Sequence, residues 1–181
     1  DREVVESMHR THIGDDQDAT HILQHAVRTA LSDGWGGSLI ATDVSDILFG
    51  TPAPILGQAN LGVLKKDMVN VVVHGHEPTL SEMIVAASQL PEIINYAKAA
   101  GANGVNLSGI CCTANEILMR QGIPAAGNFL HQELAILTGA VDAMVVDVQC
   151  IMQALVDLSK NFHTEIITTS PKVRLKGATH I

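Results

Sequence analysis

Short runs of β-branched and other apolar residues alternate with amphipathic segments from residue 69 onward. Runs of this length and composition are typical of strands that are buried on both faces of a sheet. Their alternation with helices predicts βαβ units, whose strands lie parallel. The predicted strands are residues 69–73, 104–110, 124–128, 143–148 and 165–169. The predicted fold class is therefore α/β, a Rossmann-like parallel sheet with flanking helices, preceded by a short helical segment.

Helices are predicted between these strands, and capping patterns indicate where two of them begin. Thr79 and Glu82 have the spacing of a capping box, in which each side chain satisfies a free backbone N–H of the first turn. Thr113 and Glu116 repeat that spacing. Pro91 is expected to divide the first helix into two, because proline lacks the N–H that a helix interior needs. Two further helices are predicted over residues 129–138 and 151–160.

The first 34 residues follow a helical pattern. After Asp18 or Thr20, apolar residues recur at the spacing of one helix face, and Gly34 occupies a position typical of a helix C-terminus. Residues 35–68 are predicted to hold a short strand and a connecting loop. We therefore predict two domains: a helical segment over 1–34, which ends an N-terminal helical domain, and the α/β domain over 35–181. Because no closing helix is evident after the last strand, we expect this domain to be truncated at its C-terminal side.

Composition and charge exclude several classes of protein. Hydrophobic residues make up 46% of the chain and charged residues 17%, which is too apolar and too weakly charged for a disordered protein. The net charge of −8 argues against a nucleic-acid partner, because phosphate contacts need clustered Lys and Arg. No apolar run reaches the roughly 18 residues of a membrane span. The three cysteines are an odd set with an adjacent pair, unsuited to a disulfide framework, so a cytoplasmic location is expected.

Three potential metal ligands follow three of the predicted strands. His76 comes after the first predicted strand, Cys112 after the second and Cys150 after the fourth. Ligands of parallel α/β sheets bind at the carboxyl ends of the strands, beside the N-termini of the following helices. A helix N-terminus favours thiolate, and thiolate together with imidazole suits iron, nickel, zinc or copper. The spacing therefore predicts one cysteine–histidine metal site at one edge of the sheet.

Each of these residues also has a simpler interpretation. A single buried cysteine is most often a core residue, and a single histidine at a strand end is most often a hydrogen-bonded structural group. Cys111 is predicted to pack, and His74 to be a structural group or a partner of His76. A nucleophilic pair of Cys112 with His76 or His131 is geometrically possible, but nothing in the sequence selects it. The histidines of the helical segment are predicted to be solvated or packed: His9, His12, His21 and His25.

Other sequence motifs give no support to a different chemistry. The turn after the first predicted strand lacks the glycine triplet of dinucleotide-binding loops. The chain contains no P-loop, no G-x-S-x-G elbow, no C-x-x-C pair and no H-E-x-x-H helix. The residues by themselves therefore support a cysteine–histidine metal site and go no further.

Several segments resemble a single family, in the family's order. They begin Asp46-Ile-Leu-Phe-Gly-Thr-Pro, Asn60-Leu-Gly-Val-Leu-Lys, Val72-Val-His-Gly-His-Glu-Pro, Gly109-Ile-Cys-Cys-Thr-Ala-Asn-Glu and Asp147-Val-Gln-Cys-Ile-Met. Together with His9-Arg-Thr-His, they resemble the anaerobic nickel–iron carbon monoxide dehydrogenases over nearly the whole chain. The hybrid-cluster proteins share this architecture, but the His-Gly-His-Glu-Pro and Gly-Ile-Cys-Cys segments are more similar to the dehydrogenases.

The resemblance implies a nickel–iron–sulfur centre, the C-cluster, which consists of a cubane and a pendant iron. On the family's pattern His76 and Cys112 hold the pendant iron, and Cys150 binds an iron of the cubane. The implied reaction converts CO and water to CO2, two protons and two electrons. The resemblance further implies 4Fe-4S clusters in the full-length enzyme only, a homodimer, and an electron-transfer partner such as ferredoxin.

The chain is expected to be inactive alone. On the family's pattern, three further cluster cysteines and a catalytic lysine lie beyond residue 181, and the cysteine-rich segment of the electron-transfer clusters precedes residue 1. Alternatives to the dehydrogenase are a non-catalytic α/β domain that binds zinc or iron through the same three residues, and a fragment of a hybrid-cluster-protein-type reductase. A further alternative is a Rossmann-like small-molecule-binding domain in which the cysteines merely pack.

Overall fold

The computed structural model describes residues 2–12 and 14–181, and the chain forms two compact units. Unit 1 is Asp1–Thr51 and unit 2 is Pro52–Ile181. The predicted helical segment over 1–34 includes residues 1 and 13, which lie outside the described residues. The domain boundary after residue 34 stays a prediction.

Unit 1 is helical. Its elements are α1 (Arg2–His12), α2 (Ala19–Asp33), a π-helix (Gly34–Ile40) and α3 (Ala41–Phe49). Helix α2 begins after Asp18, one of the two predicted starts, and the Asp18 carboxylate accepts hydrogen bonds from the backbone N–H groups of Thr20 and His21. Histidines 9, 12 and 21 are exposed and His25 is buried, which confirms that they are solvated or packed.

Gly34 is the C-cap of α2, as predicted, but a π-helix follows directly because the Gly34 backbone stays in the right-handed helical region. One sequence prediction in this part of the chain is wrong. The short strand expected in residues 35–68 is replaced by helix as far as Phe49. A brief apolar run has no periodicity that distinguishes a strand from a helix, so the helical context on both sides decides the structure here.

Unit 2 contains a six-stranded parallel sheet in the order β3-β2-β1-β4-β5-β6. The strands are β1 (Val69–Gly75), β2 (Val105–Ile110), β3 (Ala125–Gly127), β4 (Ala143–Val146), β5 (Glu165–Thr168) and β6 (Thr179–His180). The first five match the predicted strands within a few residues, and the predicted α/β class is confirmed. Strand β6 was not predicted, because a two-residue strand leaves no hydrophobic run in the sequence.

Helices α4 to α8 connect these strands. Their bounds are α4 (Pro78–Ser88), α5 (Pro91–Ala99), α6 (Cys111–Gln121), α7 (Gln132–Leu137) and α8 (Ala154–Ser159). One-turn 3₁₀ segments occur at Leu61–Val63 and Phe129–His131. Pro91 separates α4 from α5, as predicted. Within the described ranges, no helix is both long and apolar enough to cross a bilayer.

Both predicted capping boxes are wrong. Helix α4 is capped instead by Glu77, whose carboxylate accepts from the backbone N–H of Thr79, and Pro78 occupies the first turn, where its missing N–H costs nothing. Helix α6 begins at Cys111, two residues before the predicted cap Thr113. That start has no side-chain cap, because the chain passes directly from β2 into the helix.

The sheet is buried on both faces. Val72 of β1 belongs to a cluster that also contains Met144 and Val146 of β4, whereas Val73 belongs to a second cluster with Ile117 of α6. Successive strand residues point to opposite faces, so two adjacent valines serve two separate cores. Each fully buried aliphatic side chain contributes about 1.5–3 kcal/mol. This packing fixes the strands whose carboxyl ends carry the candidate site.

Candidate metal centre

Strand β1 lies at the point where the strand order reverses. Its neighbours are β2 on one side and β4 on the other, so the chain leaves β1 in one direction for β2 and β3 and returns on the other side with β4. Ligands of open α/β sheets bind at such a switch point, outside the carboxyl ends of the strands. The three residues predicted as metal ligands follow β1, β2 and β4, which are three adjacent strands.

His76 directly follows the last residue of β1. His76 is exposed, while its backbone N–H donates to Oδ1 of Asp147 at 2.5 Å. Asp147 itself follows β4, and its own N–H donates to the carbonyl of His74 at 3.1 Å. The turn that carries His76 is therefore attached to the end of β4 by two hydrogen bonds, and the imidazole is left accessible.

Cys111 and Cys112 form the start of α6. A bridge between Gly75 and Cys111 extends the pairing of β1 with β2 by one step, so the helix begins beside the His76 turn. Burial, followed by the neighbouring thiols of Cys150 and Cys112, raises the pKa of the Cys111 thiol to about 11. Burial and then Cys150 also raise the pKa of Cys112. In the metal-free protein both sulfurs are therefore protonated thiols near neutral pH.

Cys150 lies in the loop between β4 and α8, and it is exposed. The helix predicted to start at residue 151, directly after Cys150, begins only at Ala154. Its backbone carbonyl accepts a hydrogen bond from Nε2 of Gln132 at 3.2 Å. The thiol of Cys150 is near enough to that of Cys111 to help raise its pKa. Cys111 packs against the core, as predicted.

The fit of these residues to a metal centre rests on their donor chemistry. One imidazole and three sulfurs lie at the carboxyl edge of three adjacent strands, and thiolate and imidazole are the ligands that iron–sulfur and nickel centres use. Across residues 2–12 and 14–181, no three His, Cys, Asp or Glu side chains are already gathered to hold one metal ion. A polynuclear cluster does not need such a triad, because its inorganic sulfides separate the protein ligands. The donor types therefore fit an iron–sulfur or nickel centre.

The other two histidines near the site have structural partners. His74 is fully buried, its Nε2 pairs with Oε1 of Gln132 at 3.1 Å, and burial lowers its pKa. This agrees with the structural role that was one of its two predicted roles. Nδ1 of His131 accepts the backbone N–H of Asn128 and caps the Phe129–His131 turn. His131 is thus engaged in a cap, which leaves the alternative nucleophilic pairing with Cys112 without support.

Two buried polar residues of this edge were missed as functional candidates. Asp147 is 1% exposed and bonds to the turns after β1 and β2 as well as to its own loop. Gln132 is fully buried and joins His74 to the Cys150 loop. The only sequence signal was the place of Asp147 near the end of the predicted strand 143–148, three residues before Cys150.

Comparisons with known proteins agree closely. The model of the Prismane/CO dehydrogenase family matches residues 1–181. The chain is 64% identical to carbon monoxide dehydrogenase 1 of Methanosarcina mazei, over 98% of this chain and 28% of that protein. It is 55% identical to carbon monoxide dehydrogenase 1 of Carboxydothermus hydrogenoformans, over 100% of this chain and 28% of that one. The Ni-free, as-isolated crystal structure of carbon monoxide dehydrogenase from Thermococcus sp. AM4 matches with a TM-score of 0.95 at 59% identity, over 100% of this chain and 29% of that chain.

The chain spans less than a third of the length of each of these relatives. All three relatives carry the name carbon monoxide dehydrogenase, so neither the zinc-binding domain nor the hybrid-cluster-type reductase is favoured. Sheet order, donor residues and family match agree, and the chain belongs to the Prismane/CO dehydrogenase family.

Proposed function

We propose that this chain supplies His76, Cys112 and Cys150 as ligands of a nickel–iron–sulfur C-cluster. The full-length protein that contains it is proposed to be a carbon monoxide dehydrogenase, converting CO and water to CO2, two protons and two electrons. The support is the family membership and the identity of 64% to a relative of that name. Within the α/β unit, the support is the placement of the three donors after three adjacent strands.

The main observation behind the proposal is that residues with strained backbone conformations occur close together at the proposed site. Among the described residues outside glycine, positive φ occurs at Cys111 (67°), Gln149 (63°) and Cys150 (57°). Each such residue costs on the order of 1–3 kcal/mol, and such strain persists only where the surrounding structure enforces it, most often at active sites and ligand-binding sites. All three lie at the carboxyl edge of the sheet, and two of them are cysteines. Packing alone would not require cysteine in left-handed conformations at this edge.

The proposed ligands act through their protonation states and their placement. A bound cluster supplies the redox capacity for two electrons and a Lewis-acidic metal that activates water. The raised pKa values mean that Cys111 and Cys112 are protonated before metal arrives. Metal binding at Cys112 therefore has to displace a proton, so assembly is expected to release acid and to become stronger as pH rises.

The proposed partners follow from the resemblance to the family. CO, CO2 and water are the small-molecule reactants, and a ferredoxin-like carrier accepts the electrons. A homodimer in an anaerobic cytoplasm, with further 4Fe-4S clusters in the full-length protein, is the proposed assembly. The 181 residues contain three cysteines, too few for the proposed C-cluster and its electron-transfer clusters together, so the chain alone is expected to be inactive.

A test uses the full-length protein, made without oxygen and with nickel supplied. The expected result is CO-dependent reduction of a viologen dye, with nickel and iron present in each chain. Replacing His76 by Ala or Cys150 by Ser is expected to lower the rate by at least roughly 100-fold, because a metal ligand is lost. His163→Ala is the control. That exposed histidine pairs with Asp142, which precedes β4 and so lies at the amino ends of the strands, away from the proposed site. Zinc without iron, or full activity in both ligand variants, would exclude the proposal.

A further inference from the structure

We infer that Asp147 is a positioning residue that holds His76, Cys112 and Cys150 in one arrangement, by bonding to the three chain segments that carry them. The inference rests on the proposed function for the identity of the cluster. The hydrogen bonds on which it depends belong to the protein chain alone.

The Asp147 carboxylate has partners on three segments of the chain. Oδ1 accepts the backbone N–H of His76 at 2.5 Å and also the N–H of Val148 in its own loop. Oδ2 accepts the hydroxyl of Thr113, in the first turn of α6, at 3.2 Å. One buried side chain therefore joins the turn after β1, the helix after β2 and the loop after β4.

Every one of these contacts lies close in sequence to a proposed ligand. The first is made by the backbone of His76 itself, the second by the neighbour of Cys112, and Asp147 precedes Cys150 by three residues. The displacement of this carboxylate would therefore shift all three donors relative to one another. Groups that orient metal ligands in this way typically change metal affinity by 10–100-fold when they are removed.

The position of the Asp147 carboxylate is restricted by the residues around it. The residue is 1% exposed, so water does not compete for its oxygens. A Cβ at Gly75 would overlap the carboxylate, and Gly75 has a φ of 140°, which other residues rarely adopt. Glycine at this position thus admits the carboxylate against the backbone of the His76 turn. A buried charge with several N–H and O–H donors costs much to move, because every donor would be left unsatisfied.

Two substitutions separate hydrogen bonding from simple space filling. Asp147→Ala removes all three contacts. Asp147→Asn keeps an oxygen that accepts the His76 N–H. The new amide N–H donates to the Thr113 hydroxyl, which then accepts a hydrogen bond where it donated one to Asp147. Thr113→Val removes one contact with almost no change of volume, and it replaces Asp147→Ala in the experiment if that variant does not fold. Asp142→Ala is the matched control, because Asp142 also accepts a backbone N–H of β1, from Asn70 at 2.7 Å, at the opposite edge.

The first readout is amide hydrogen exchange at His76 in the metal-free full-length protein. We expect exchange to become faster by about tenfold or more in Asp147→Ala, because the N–H loses a charged acceptor, and to change little in Asp147→Asn and Asp142→Ala. Unchanged exchange in a folded Asp147→Ala would overturn the inference. This readout needs no cluster, so it remains decisive if the wild-type protein takes up no iron and the proposed function fails.

The second readout is the iron and nickel affinity of the same variants. We expect a loss of 10–100-fold in Asp147→Ala and a smaller loss in Thr113→Val. Asp147→Asn is expected to stay near wild type, and so is Asp142→Ala. An equal loss of metal affinity in Asp147→Asn and Asp147→Ala would refute positioning by hydrogen bonds. An equal loss in Asp142→Ala would show that the effect reflects general stability and not the position of Asp147.

Discussion

Oε1 of Gln132 accepts a hydrogen bond from Nε2 of His74 at 3.1 Å, and both side chains are fully buried. The same glutamine donates through Nε2 to the carbonyl of Cys150 and accepts the backbone N–H of Met152. Gln132 therefore links the carboxyl end of β1 to the loop that carries a proposed ligand. Nδ1 of His74 has no partner among the described residues, which agrees with a neutral ring whose pKa burial has lowered.

Gln132→Met is expected to destabilise the protein by about 2 kcal/mol or more. The substitution keeps the volume but leaves His74 and the Cys150 carbonyl without partners in a buried place, and each such group costs about 1–3 kcal/mol. Urea unfolding, followed by circular dichroism, measures the change. Gln89→Met, at an exposed position that ends α4, should change the free energy of unfolding by less than about 0.5 kcal/mol. Equal losses in the two variants would contradict this role of Gln132.

Alkylation of Cys111 in the metal-free protein is expected to be slow at pH 8. Its pKa of about 11 leaves on the order of 0.1% thiolate, against about a quarter for an unperturbed cysteine. After allowance for the greater nucleophilicity of a high-pKa thiolate, the rate should be roughly 20-fold below that of the unfolded chain. Because the pKa is raised, thiolate and rate increase about tenfold per pH unit from pH 8 to 10.

Mass spectrometry after timed exposure to iodoacetamide measures that rate at Cys111 itself. The same protein in urea provides the control, since unfolding restores an ordinary thiol. A folded-state rate equal to the unfolded one at pH 8 would show that burial does not perturb this thiol.

Gly109→Ala is expected to destabilise unit 2 by about 1–3 kcal/mol, as overpacking does. A Cβ at Gly109 would lie 2.5 Å from Cα of Ala114, so the backbone of α6 would have to move away from β2. Thermal or urea unfolding measures the cost. Gly57→Ala is a graded control, because its Cβ meets only the flexible end of Leu118 at 2.7 Å and should cost less. The prediction fails if the two substitutions cost the same.

The strands were predictable because their apolar runs carry the information locally. Val69–Gly75 contains four valines, and Ala143–Val146 is apolar throughout, which is typical of strands buried on both faces. The starts of α4 and α6 were not predictable, because a spacing that fits a capping box does not show where the preceding backbone turns into a helix. Glu77 stands before Pro78 and caps α4 first, and the left-handed backbone of Cys111 turns β2 directly into α6.

The shared edge of the proposed ligands was likewise predictable, since each follows a parallel strand. The order of the strands was not, and it is the order that makes β1, β2 and β4 neighbours. The roles of Asp147 and Gln132 depend on contacts between residues 71 and 58 apart in sequence. Contacts at that separation leave no local pattern, so they emerge only from the folded chain.

Anomalous diffraction from crystals of the oxygen-free, full-length protein, collected at the iron, nickel and zinc absorption edges, tests the metal assignment most directly. The expected result is iron bonded to the imidazole of His76 and to the sulfurs of Cys112 and Cys150, with a nickel signal in the same cluster. An iron–nickel centre that none of these residues touches, or a zinc signal alone between them, would contradict the assignment.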